Sequence, residues 1–311
     1  MKKTFFMSLI MLISLSHAAA AGVTGPAAID KSGDTALQAM IQETEGKFSQ
    51  LNYTEGNLSL LCNLFLPEGY PGSQKYPLVI FIADSSTVGR EADAPLRQGY
   101  GGIIWATEKE QSKHPCIVLV PQYPQEIVDD STGSTAAAYI SITENLIRAV
   151  IDGFQVDTGK IYATGQAMGC MALMIMAEKN PALFAAELFV AGQGELREIE
   201  GLKKQKFFYI TSEGDDRARI AQAKLLRRFQ IARVPFSRTL EWDARQAQED
   251  FANALNVMLA GRPSANFARF IEGTVLPPGV SSDSSLEHLY SFDAAYRINA
   301  LRDWLFMQSQ K

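Results

Sequence analysis

The 311 residues are 47% hydrophobic and 20% charged, which supplies ample apolar material for a core and excludes a disordered chain. A formal net charge of −5 and a pI near 5.4 argue against nucleic-acid or anionic-membrane binding, both of which need a cationic surface. Three cysteines, an odd number without close spacing, give neither a disulfide framework nor a zinc signature, so the fold must rest on its core.

The N-terminus reads as an export signal: Lys2 and Lys3, a short apolar stretch from Thr4 to Leu15, then small residues from Ser16 to Ala21. The apolar run falls short of the roughly 20 residues of a membrane span. Residues 1–21 are therefore expected to be removed, leaving a mature chain that works in the periplasm or outside the cell. Residues 22–45 form an Ala-, Gly- and polar-rich lead-in ending in a short helix, and residues 46–311 a single domain.

Strand patterns begin at Phe48. Phe48–Tyr53 and Leu58–Leu66 flank Gly56-Asn57, a hairpin turn pair, and predict an antiparallel hairpin that opens the sheet. Tyr76–Ala83 and Cys116–Pro121 are nearly unbroken apolar runs, as expected of strands buried on both faces. Thr135–Phe154 predicts a helix, Lys160–Thr164 a strand, and Met168–Asn180 a helix stopped by Pro181. Strands at Ala186–Ala191 and Lys206–Thr211 follow, then helices at Arg217–Gln230, Ala244–Ala260 and Phe292–Gln308. This alternation predicts an α/β fold with a mostly parallel sheet flanked by helices.

The segment that carries chemistry is Ile161 to Gly169. A strand enters a sharp turn and then a helix, with Gly165 and Gly169 two residues either side of position 167. That is the layout of a nucleophile elbow, G-x-S-x-G, with Ala167 where serine is expected. The backbone amide of Met168 would face the same space and help to hold an oxyanion. Downstream, Ser212 to Asp216 is an acidic loop at a strand's C-terminal end, and Glu287-His288 precedes the last helix. The order of nucleophile position, acid and histidine is the one this turn type is found with. Asp215 is the first candidate acid and Asp216 the second. Of the two histidines after residue 21, His114 reads as a surface residue and His288 as the site residue.

On these residues the chain resembles the secreted esterases and predicted peptidases of the α/β-hydrolase superfamily related to polyhydroxybutyrate depolymerases and feruloyl esterases. The resembling stretches are 77–84, 114–124, 160–186, 207–216 and 287–308, spread over most of the mature chain in the family's order. The resemblance implies a Ser–His–Asp triad carried onto Ala167, His288 and Asp215, and an ester substrate, small or linked to a polysaccharide. It also implies a second oxyanion amide from the loop after the first buried strand, at Ser85 or a neighbour. That loop reads Ala83-Asp84-Ser85-Ser86 where the family carries His-Gly, and a carboxylate at Asp84 would oppose a developing oxyanion unless it points away.

Without a hydroxyl at position 167, His288 has no serine to deprotonate and no acyl-enzyme forms there. Three accounts stay open: an exchange made to trap a substrate, a natural pseudo-hydrolase that binds a ligand or partner, or another residue acting in its place. The retained export signal argues against the first. For the third, Ser85 needs His288 within reach, and Cys170, in the first turn of the following helix, is expected to point away. Trp105, Tyr123, Trp242 and Tyr290 are candidates either for a pocket wall or for the core. No cofactor is expected, because there is no phosphate-binding loop and no metal-ligand cluster.

Overall fold

The computed structural model describes residues 29–129, 134–194 and 196–310; the segment expected to be an export signal and the first part of the expected lead-in lie outside them. Helix α1 (Thr35–Thr44) closes the lead-in, capped by the Asp34 carboxylate on the Leu37 amide at 3.0 Å. The hairpin β1 (Phe48–Glu55) and β2 (Leu58–Phe65) then turns at Gly56, whose φ of 58° a residue with a Cβ takes up only at a cost. Strand β3 (Tyr76–Ile82) is followed by the short helices α2 (Ala94–Arg97), α3 (Tyr100–Ile103) and α4 (Glu108–Lys113). Next come β4 (Ile117–Gln122), the small pair β5 (Val128–Asp129) and β6 (Ser134–Thr135), and helix α5 (Ala137–Gly153). Strand β7 (Val156–Gln166), helix α6 (Met168–Lys179), β8 (Ala186–Val190), β9 (Phe207–Ser212) and α7 (Asp216–Ile231) continue the alternation. The chain ends with β10 (Phe236–Trp242), α8 (Gln248–Leu259), β11 (Ala265–Phe270), α9 (Ser284–Tyr296) and α10 (Asn299–Phe306).

Nine strands form one sheet in the order β1-β2-β4-β3-β7-β8-β9-β11-β10. Strand β2 pairs antiparallel with both neighbours, and every other pair is parallel. Apolar layers cover both faces, which is why β3, β4 and β8 read as continuous apolar runs. Ile147 of α5, Leu173 of α6 and Phe229 of α7 pack on one face; Phe251 of α8, Phe292 of α9 and Leu301 of α10 pack on the other. Cys62, Cys116 and Cys170 are free and buried as small core residues, and burial pushes the Cys62 thiol up to about 12.

The structure differs from the sequence reading in several features. Strands β10 and β11 were not predicted. The first is a half-exposed edge strand without alternation, and the second carries Asn266 and Arg269, two polar residues that are nevertheless buried. Asn266 donates to the Phe207 carbonyl at 3.0 Å, and Arg269 donates to Glu213 at 2.7 Å and to Gln222. The predicted helix Phe292–Gln308 is instead the end of α9 plus a separate α10. Arg302, buried and paired with Glu110 at 3.0 Å, donates to the Tyr296 carbonyl at the end of α9, so that carbonyl is satisfied without the helix continuing. Finally, His114 is not a free surface residue: it is half-buried, stacks on Phe306 at 4.3 Å and meets Asp303 at 2.8 Å.

Candidate functional site

Ala167 stands between β7 and α6 with φ 46° and ψ −112°, a conformation that costs a non-glycine residue about 1–3 kcal/mol. The surroundings hold it there: its N–H donates to the Val190 carbonyl, and its carbonyl accepts from Met171, both at 3.0 Å. The flanking glycines let the helix approach the sheet. A Cβ on Gly165 would lie 2.7 Å from the Gly169 carbonyl carbon, and one on Gly169 would overlap the Ile82 carbonyl. Because both obstacles are backbone, Gly169→Ala is expected to cost about 3 kcal/mol or more, read as a lowered midpoint in chemical unfolding.

Ala167 and Met168 line a cavity of about 390 Å³ together with Ser85, Asp84 and His288. Met168 heads α6, so its backbone N–H is among those with no acceptor inside the helix. Its sulfur accepts the Ile127 N–H at 3.5 Å, which anchors one wall.

His288 lies in the second turn of α9, not in a loop ahead of the final helix. Its Nδ1 is 2.5 Å from Asp215 Oδ2, and no hydrogen-bond partner meets Nε2 among the described residues. With Nδ1 donating to the carboxylate, Nε2 carries the lone pair. Asp215 is fully buried, caps α7 and accepts the Ala218 N–H at 3.0 Å. The second candidate acid, Asp216, is exposed and pairs with Arg219 at 2.9 Å instead. Glu287 turns away from the cavity. It is buried and accepts from Ser212 and, at 2.6 Å, from the Gly273 N–H, tying α9 to the ends of β9 and β11. That attachment sets the depth at which His288 sits.

Asp84 does not point away. It lines the cavity and is 3% exposed, held by the Ser86 hydroxyl at 3.1 Å and by the amides of Gln98 and Gln166. Burial raises its carboxyl above the usual aspartate range, opposed by the hydrogen bonds from Ser86 and Gln166 and by the positive charge His288 takes up when protonated. Ser85 lines the cavity, but its hydroxyl makes no hydrogen bond to His288 among the described residues. Cys170 is fully buried outside the cavity, and burial raises its thiol pKa, so it is no substitute nucleophile. Trp105, Tyr123 and Trp242 belong to the core, and Tyr290 packs against it.

The sequence reading missed Gln193. Its amide lies 3.1 Å from His288 Nδ1 and donates to Asp215 Oδ1 at 3.4 Å, closing a three-residue cluster. The signal was its place: it lies three residues beyond the end of β8, between Gly192 and Gly194, at the strand ends where open α/β sheets bind ligands. Among the described residues no group of His, Cys, Asp and Glu is placed to hold a metal, and no helix is long and apolar enough to cross a membrane.

Scanned against protein-family models and searched against curated proteins, the chain finds no match. Solved structures do match. A thermostable esterase superposes with a TM-score of 0.65 at 21% identity over 88% of this chain, which spans only 64% of that esterase's length. A serine-to-alanine mutant of the feruloyl esterase module from Clostridium thermocellum, complexed with sinapinate, gives 0.51 at 14% identity, covering 92% of this chain and 98% of the module. A ferulic acid esterase gives 0.51 at 10% identity, covering 84% of this chain and 98% of its own. With the sheet order and the strand–turn–helix at Ala167, these likenesses establish that the chain has the α/β-hydrolase fold.

Proposed function

We propose that this is an exported protein of carboxylic-ester hydrolase descent whose nucleophile position holds Ala167, so that it does not hydrolyse esters through an acyl-enzyme. One observation carries the reading: Ala167, in the strained turn, shares its cavity with His288, whose other nitrogen is bound by buried Asp215. Two of three triad roles are thus filled, and the third position has the backbone of a nucleophile without the atom. Export rests on Lys2, Lys3, the apolar stretch and the small residues up to Ala21. The substrates in view are small esters, which a cavity of about 390 Å³ accommodates, including those linked to a polysaccharide.

A fluorophosphonate probe, which labels activated serines covalently, tests the reading. The unaltered protein is expected to take up none and Ala167→Ser one per chain, by intact mass. Labelling of the unaltered protein would overturn it. A second reading, ligand binding without chemistry, is favoured by the Asp84 carboxyl that Ser86, Gln98 and Gln166 build into the cavity wall. It predicts tight, saturable binding of a ligand whose turnover Ala167→Ser does not restore.

A further inference from the structure

We propose that the His288–Asp215 pair acts on water instead of serine, giving a slow, acyl-enzyme-free hydrolysis of small uncharged carboxylic esters in the cavity beside Ala167. The inference rests on the esterase-descent reading and goes beyond it.

The dyad is complete in itself. Asp215 is fully buried and fixes Nδ1 of His288, while Nε2 has no partner among the described residues. An imidazole so oriented needs only a proton source within reach. Ala167 leaves the volume of a hydroxyl unfilled. Ser85 and Ser285 line the same cavity and offer polar partners to a water held there.

The charges around the cavity choose the substrate. Among the described residues the ionisable groups at His288 are Asp215 on its Nδ1 and, lining the same cavity, Asp84, Glu126, Asp129 and Arg217. Three lining carboxyl groups against one guanidinium, among the described residues, disfavour an anionic ester. They also favour release of the carboxylate product.

The step balances without a cofactor. His288 Nε2 takes one proton from water as the water oxygen bonds to the ester carbonyl carbon, and the carbonyl π pair moves to its oxygen. That oxyanion is held by the Met168 N–H. On collapse the bond to the alcohol oxygen breaks; the alcohol leaves with that electron pair and the proton from His288. One water is consumed, one acid and one alcohol form, and every side chain returns to its starting state.

The test compares p-nitrophenyl acetate hydrolysis by the unaltered protein, His288→Ala, His288→Gln, Ala167→Ser and Ala167→Ser/His288→Ala, each checked for native circular dichroism. The unaltered protein is expected to exceed buffer, show no pre-steady-state burst and carry no acetyl adduct by intact mass. Both His288 variants should lose about 100-fold. Equal rates with and without His288, no rate above buffer, or an acetylated unaltered protein each overturn the inference. In the first two cases a burst from Ala167→Ser leaves the esterase-descent reading standing, whereas an acetylated unaltered protein also removes its claim that no acyl-enzyme forms. If Ala167→Ser gains no His288-dependent rate, that reading itself fails.

Discussion

Ala167→Ser is expected to raise hydrolysis of short p-nitrophenyl and feruloyl esters by about 10³-fold or more, since removal of the nucleophile from a working triad costs at least that much. The expected gain is large because nothing but one oxygen has to be added. The turn already holds position 167 at φ 46°, Gly165 and Gly169 already give the close helix approach, and His288 already presents Nε2 to the same cavity. Serine accepts the backbone that alanine accepts. The double variant Ala167→Ser/His288→Ala should fall back to the level of the single His288→Ala protein, because a serine without its base is a poor nucleophile. Asp84 sets a ceiling. Asp84 opposes the oxyanion to the extent that it ionises, so Ala167→Ser/Asp84→Asn should be faster again by up to about 10-fold, the equivalent of about 1.4 kcal/mol. Steady-state kinetics of the unaltered protein and these four variants check this. A folded Ala167→Ser protein without ester hydrolysis would mean a cavity remodelled beyond catalysis, and would leave ligand binding as the better account.

The second large effect lies outside the site. Glu187, in the middle of β8, is fully buried, and neither carboxyl oxygen has a hydrogen-bond partner among the described residues. Burial alone drives its pKa well above the ordinary glutamate range; no charged neighbour shifts it. The folded chain therefore keeps this proton over a pH range in which the unfolded chain has released it. The folded state binds more protons there, so stability is full below the ordinary glutamate range and falls as pH rises towards the folded value, by at most about 1.4 kcal/mol per pH unit. Asp84, also raised by burial, adds a contribution of the same sign. Glu187→Gln should remove the Glu187 part of the slope, with its advantage over the unaltered protein growing between pH 5 and pH 8. Glu187→Leu, which also removes two unsatisfied oxygens, should be more stable by about 2 kcal/mol even at pH 5. Urea unfolding at both pH values measures this. An unchanged slope in Glu187→Gln would show that the carboxyl is ionised and compensated in the folded protein.

The parts of this molecule legible in its sequence are those governed by neighbours along the chain. Strands β3, β4 and β8 carry apolar residues on both faces because helices cover both, and that leaves a continuous run in the sequence. The turn at Ala167 was legible for a related reason: steric closeness of a helix to its own preceding strand demands glycine at fixed offsets, here Gly165 and Gly169. Asp215 and His288 could be named because each follows or precedes a recognisable element, although the helix α9 that carries His288 was placed too late in the chain.

Contacts between distant segments, which set polar groups in the interior, are invisible along the chain. Strand β11 hides Asn266 and Arg269, whose partners Phe207, Glu213 and Gln222 come from elsewhere in the chain, so a strand with buried polar residues looks like a loop. The end of α9 is fixed by Arg302 reaching the Tyr296 carbonyl while paired with Glu110, which lies 192 residues away. Gln193 meets a histidine 95 residues further on, and Asp84 faces the cavity because Gln98 and Gln166 hold it there. A buried polar group must be satisfied by whatever the fold brings to it, and the identity of that partner is a property of three dimensions. Residues adjacent along the chain make the buried strands and the strand–turn–helix at Ala167 readable in the sequence, whereas the packing of the sheet ends sets which side chains share the cavity with that turn.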